Sequence, residues 1–137
     1  MATKTVAEKM LIKPNSTVWS SDSTLLARID PLPEGVRTAA GFGDAAVAVL
    51  FVADAAAARD LLDTHKDRLS DPGLLWIAYP KGNTTDINRD SLWKIAIPYG
   101  LVPNSQVAVD DVWSAMRFRP LKPGEAPFAG GSASRGR

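Results

Sequence analysis

The sequence predicts an α/β fold: a three-layer arrangement with one mostly parallel sheet between helices, ending in an antiparallel hairpin. Three observations carry that expectation. Residues 45–52, Ala45-Ala46-Val47-Ala48-Val49-Leu50-Phe51-Val52, and residues 74–79, Leu74-Leu75-Trp76-Ile77-Ala78-Tyr79, are apolar throughout, as strands are when both their faces are covered. An amphipathic helical stretch lies between them, and a strand, a helix and a strand in that order form a βαβ unit with parallel strands and a right-handed crossover. Near the end, Ser114, Met116 and Phe118 alternate with Ala115, Arg117 and Arg119, the period-two pattern of a strand whose faces differ.

In chain order, Val6 to Ile12 forms a brief helix, with Ala7, Met10 and Leu11 at helical spacing and Lys13-Pro14-Asn15 as its stop. Thr17-Val18-Trp19-Ser20 is a β-branched and aromatic strand entering a polar loop, Ser21 to Thr24. Pro31, Pro33, Gly35, Gly41 and Gly43 punctuate the stretch from Leu25 to Gly43, leaving room for one helical turn and a short strand near Val36 to Ala39. Residues 45–52 form the central strand. Asp54 caps the following helix, Ala55 to Leu69, whose Ala58, Leu61, Leu62 and Leu69 mark its buried stripe before Asp71-Pro72-Gly73 ends it. After the strand at 74–79, a polar loop from Pro80 to Thr85 leads to Asp86 and another helix, with Leu92, Ile95, Ala96 and Tyr99 on one face. Pro98 distorts its last turn and Gly100 closes it. Gln106 to Val109 and Trp113 to Phe118 flank Asp110-Asp111 as the closing hairpin. The folded domain is expected to span 1–120, and residues 121–137, rich in Pro, Gly and Ser, to form a flexible tail with little to bury.

At 137 residues and 45% hydrophobic content, the chain has the size and apolar share of one ordinary domain. A net charge of +1 provides no bulk electrostatic argument for nucleic acid or a membrane surface. The absence of cysteine removes disulfides, thiolate zinc sites and cysteine nucleophiles. No run of roughly 18 apolar residues occurs, and Met1 to Met10 carries Lys4, Glu8 and Lys9 without a signal-peptide core, so a cytoplasmic location is the simplest expectation.

The segments Leu74-Leu75-Trp76-Ile77-Ala78-Tyr79-Pro80-Lys81, Thr85-Asp86-Ile87-Asn88-Arg89-Asp90 and Val107-Ala108-Val109-Asp110-Asp111-Val112-Trp113-Ser114-Ala115-Met116 resemble a family of small bacterial proteins known as a domain of unknown function. The resemblance spans about Met10 to Pro120 and implies a fold and a bacterial origin, with no catalytic residues attached. More coarsely, the order of elements is similar to the later half of class I S-adenosylmethionine-dependent methyltransferases, and implies a truncated Rossmann-like sheet. Those enzymes hold their cofactor over a glycine-rich turn after the first strand, where missing side chains let backbone and ligand approach. Here that turn is Ser20-Ser21-Asp22-Ser23-Thr24, without glycine. No acid stands where one would grip ribose after the second strand, because Val36 to Ala39 runs into Gly41-Phe42-Gly43 and Asp44 lies too close to the next strand. Neither a dinucleotide glycine motif nor a phosphate loop is present, and no cofactor is assigned.

Open parallel sheets bind ligands outside the carboxyl ends of their strands. That rule selects Ser20, Ser21, Asp22 and Thr24 after the first strand, Asp54 after the central one, and Tyr79, Lys81, Asn83, Thr84, Thr85 and Asp86 after the next. Lys81, followed by hydroxyls and a helix N-terminus, suits a phosphate or carboxylate; the plainer alternative is that Asp86 or Thr85 caps the helix while Lys81 is solvated. Arg89 pairs with Asp86, Asp110 or Asp111, either to fix the fold or to orient a site. Asp110 and Asp111 lack a neighbouring histidine or third carboxylate and read as turn residues, not a metal set. His65, the sole histidine, reads as a surface or boundary residue without a serine partner. Trp113 either packs the core or stacks on a planar ligand.

Three function classes follow. The leading one is a non-catalytic binding or regulatory domain on a degenerate Rossmann-like scaffold, acting on an unidentified small molecule or protein. The second is an enzyme using a nucleotide or S-adenosylmethionine-like ligand, which needs a pocket over Ser20 to Thr24 and Asp54. The third is an adaptor, a homodimer formed through a hairpin edge at Trp113 to Arg119.

Overall fold

The computed structural model of the chain describes residues 5–29, 31–82, 84–121 and 124. The two apolar runs become β3 (Val47–Phe51), buried at all five positions, and β4 (Leu74–Pro80), parallel to it with Val49 opposite Trp76 and Leu50 opposite Ile77. Their crossover is α3 (Ala55–His65), whose continuation at Lys66–Arg68 tightens to a 3-10 turn short of the expected end at Leu69. On the other side of β3, β1 (Thr17–Ser20) and β2 (Arg37–Thr38) extend the sheet in parallel. β5 (Leu101–Ala108) and β6 (Trp113–Pro120) close it as an antiparallel hairpin. The order among the described residues is β2-β1-β3-β4-β6-β5, so the last strand lies between β4 and β5, antiparallel to both.

Alternation along the strands divides the core into two layers. Ala48, Leu50, Leu75, Ile77 and Tyr79 face α3 and α4 (Arg89–Ala96), where they meet Leu62, Leu92 and Ala96. Val47, Val49, Phe51, Trp76 and Ala78 belong to the opposite layer, with Ala7 of α1 (Val6–Lys9), Met10, and Ile29 just beyond α2 (Ser23–Leu26). The indole N–H of Trp76 donates to the Met10 carbonyl at 3.0 Å, tying the N-terminal segment to the middle of the sheet. Full burial of a Val, Leu or Phe side chain stabilises by about 1.5–3 kcal/mol, so these layers dominate the folding energy. The fold is a Rossmann-like α/β sheet, mostly parallel, with antiparallel strands at one edge.

Several boundaries differ from expectation for local reasons. α1 stops at Lys9 instead of Ile12 because Leu11 turns left-handed, at φ 65°, and the N–H groups of Leu11 and Ile12 return to the carbonyls of Glu8 and Ala7. α2 occupies part of the expected loop because Asp22 accepts from the N–H groups of Thr24 and Leu25 and starts a helix at Ser23. α4 begins at Arg89 instead of Asp86, where Asn88 and Ser91 form a reciprocal cap. Gly100 closes the turn after α4 at φ 78°, in the left-handed region that suits glycine. β5 starts at Leu101, earlier than Gln106, and carries Pro103 and a register shift, which an outer strand tolerates. The expected free edge at Trp113 to Arg119 is corrected: β6 is flanked on both sides, and β5 forms that border. Apart from Leu121 and Gly124, the expected tail lies outside the described residues. No helix among the described residues is long and apolar enough to cross a membrane.

Candidate functional site

The turn after β1 is occupied by its own hydrogen bonds. The hydroxyl of Ser20 accepts from the Asp22 N–H at 3.1 Å and donates to the Asp22 carbonyl at 2.8 Å. Ser21 Oγ accepts the Phe51 N–H at 2.7 Å, fastening the end of β1 to β3. Asp22 Oδ1 takes the N–H groups of Thr24 and Leu25 at 2.9 and 3.1 Å, so Thr24 enters the set as a helical donor. Asp54 caps α3 through the Ala57 N–H at 2.8 Å. These five candidates are adjacent to the strand ends, as the rule for parallel sheets requires, and each has a structural assignment.

The loop after β4 divides. Asp86 does not cap α4; its Oδ1 accepts the Ala55 N–H at 2.8 Å, at the start of α3, so both carboxylates serve the same helix. Thr85 Oγ1 accepts from the Ile87 N–H, and the Thr84 hydroxyl donates to the Lys81 carbonyl at 3.4 Å. Asn83 lies outside the described residues. Tyr79, Lys81 and Arg89 line one hollow of about 740 Å³ with Gly82, Asn88, Asp90, Gln106, Ala108 and Ser114. Its floor is the end of the sheet: Gln106 Nε2 donates to Tyr79 Oη at 2.7 Å and to Ser114 Oγ at 2.9 Å. Ser114 is buried, at 4% exposure. A smaller hollow of about 370 Å³ continues from Arg89, Asp90 and Gln106 toward Trp93, Pro103 and Met116.

Other solved structures share this fold. A protein of the NADB-Rossmann superfamily from Streptococcus agalactiae has a TM-score of 0.53 at 10% identity, over 88% of this chain and 69% of its own. An uncharacterised protein from Listeria monocytogenes reaches 0.56 at 14% identity, over 96% of this chain and 72% of its own. A protein from Streptococcus pneumoniae, provisionally assigned as a tRNA (m1A22) methyltransferase, reaches 0.51 at 8% identity, over 83% and 67%. The likeness is one of fold. No protein-family model and no curated protein matches the chain.

Of the remaining candidates, Trp113 and Asp110 are engaged by contacts within the fold. Trp113 is 8% exposed and packs edge-on against Phe51, with ring centroids 5.5 Å apart, so its ring belongs to the core. Asp110 accepts the N–H groups of Val112 and Trp113, both at 2.8 Å, and pairs with Arg28 at 3.0 Å. Partial burial pushes the Asp110 carboxyl up, and the Trp113 and Val112 N–H groups with Arg28 outweigh it, holding the group below its ordinary value. The expected pairing of Arg89 with Asp86, Asp110 or Asp111 is corrected: its ion pair is with Asp90, at 3.6 Å and largely exposed. No group of three or more metal-ligating side chains occurs among the described residues. His65 is a boundary residue, half-buried, stacked on Phe42 at 4.3 Å and edge-on to Trp19. Its burial lowers the imidazole pKa.

Sequence reasoning missed Gln106 and passed over Ser114. A signal for Ser114 was present, since it is the polar member of the alternating set that places Met116 and Phe118 in the core. Gln106 carried none, because only pairing of β5 with β6 brings it opposite Met116 and beside Ser114.

Proposed function

We propose that this chain is a non-catalytic binding or regulatory domain on a degenerate methyltransferase-like scaffold, belonging to a family of small bacterial proteins and acting in the cytoplasm. The supporting observation is the turn after β1. In the scaffold's enzymes a glycine-rich turn there leaves backbone open to the cofactor. Here Ser20, Ser21 and Asp22 fill the same turn with side chains whose oxygens accept from Asp22, Phe51, Thr24 and Leu25. A cofactor at that place would have to displace bonds that hold β1 to β3 and start α2. The lone histidine sits in an aromatic cluster with Phe42 and Trp19.

Thermal melts with S-adenosylmethionine, its demethylated product, NAD and ATP test this reading. A ligand specific for the native state adds about 2.7 kcal/mol at a hundredfold its dissociation constant, an effect large enough to register clearly. No rise in melting temperature is expected with any of them beyond that given by the same concentration of acetate or inorganic phosphate, and a saturable rise above that level with either S-adenosyl compound overturns the proposal.

A further inference from the structure

We infer that the hollow at the end of β4 is an anion site, taking a small molecule through a carboxylate or phosphate monoester group. This rests on the reading of the chain as a binding domain and assigns its ligand class. The floor supplies the first reason. Gln106 Nε2 donates to both hydroxyl oxygens, so each hydroxyl keeps its own proton to give. The Ser114 proton goes to the Val107 carbonyl at 3.4 Å, whereas the Tyr79 hydroxyl has no acceptor for its proton among the described residues. Tyr79 is 4% exposed and lines the hollow beside the exposed Gln106, so its hydroxyl is held in place while its proton remains to be given. An acceptor oxygen is the group that completes it.

Charge supplies the second reason. Lys81 and Arg89 stand at the same hollow, and Asp90 is the acid among its lining residues. The Arg89–Asp90 pair is long, at 3.6 Å, with both side chains about two-thirds exposed (65% and 68%), so Arg89 is held only weakly by its neighbour. A bound anion would accept from Tyr79 Oη below and from two cations at the rim, the combination that makes charge-assisted hydrogen bonds strong. The apolar extension toward Trp93, Pro103 and Met116 leaves room for the rest of the molecule.

Amide chemical shifts during titration with inorganic phosphate, and separately with acetate, test the site. Saturable shifts centred on Tyr79, Lys81, Gly82, Arg89 and Gln106 are expected, and the anion with the lower dissociation constant identifies the class. Tyr79→Phe and Lys81→Gln should each weaken binding about tenfold, the scale of one charge-assisted bond, while Arg59→Gln on α3 leaves it unchanged. If Tyr79→Phe fails to fold, Lys81→Gln decides. Non-saturating shifts scattered over surface lysines, or equal weakening by Arg59→Gln, overturn the inference. S-adenosylmethionine shifting Ser20 to Asp22 would overturn the proposed function instead, and the two failures are distinguishable by the residues that move.

Discussion

His65 illustrates how a single side chain is committed by its surroundings. It ends α3 between Phe42, at an interplanar angle of 17°, and Trp19. Burial disfavours its charged form, so the folded pKa lies below the ordinary value of 6.5. The unfolded chain therefore takes up the proton first, and stability falls as pH drops below 6.5 until the folded imidazole is also protonated. Denaturant melts from neutral pH down to about 5 should show this limb in the native chain and a flatter one in His65→Gln. A limb unchanged by the substitution would assign it elsewhere. Asp110 acts lower on the scale: its depressed carboxyl contributes stability above 3.8, lost as pH falls through the folded value.

At the scale of elements, α3 is the longest helix among the described residues and shows how capping is shared. Asp54 satisfies the Ala57 N–H from within the local sequence, and Asp86 satisfies the Ala55 N–H from 31 residues away. Each removes an orphan donor at the same helix end, so Asp54→Ala and Asp86→Ala should each cost about 1 kcal/mol in urea melts. A neutral Asp86→Ala would mean that the second bond contributes nothing. The first cap was legible because an aspartate preceded an amphipathic run. The second was not, because pairing of β3 with β4 is what brings the loop after β4 over the start of α3. Similar logic separates the strands: the buried runs of β3 and β4 announced themselves, whereas Pro103, Asn104 and Ser105 concealed the first half of β5, whose outer position tolerates them.

The molecule as a whole is one sheet with a core layer on either face, so the layers should unfold together. Leu50 and Phe51 are neighbours in β3 that point into opposite layers. Leu50→Ala should cost about 2–5 kcal/mol and Phe51→Ala about 3–5 kcal/mol, each lowering one shared transition. Indole fluorescence and far-ultraviolet circular dichroism should trace coincident curves in both variants. Non-coincident curves would mean that the layers are independent.

The sequence by itself determined the α/β class, the parallel βαβ unit, the cap at Asp54 and the absence of glycine after β1. These are matters of local pattern: continuous apolar runs, helical spacing and the residue types that a turn admits. Tertiary structure decided which polar groups meet. Insertion of β6 between β4 and β5 placed Ser114 beside Gln106, set Tyr79 over both, buried Trp113 against Phe51 and moved the sheet's border to β5. Strand order arises from contacts between residues far apart in the chain, and no local period encodes it.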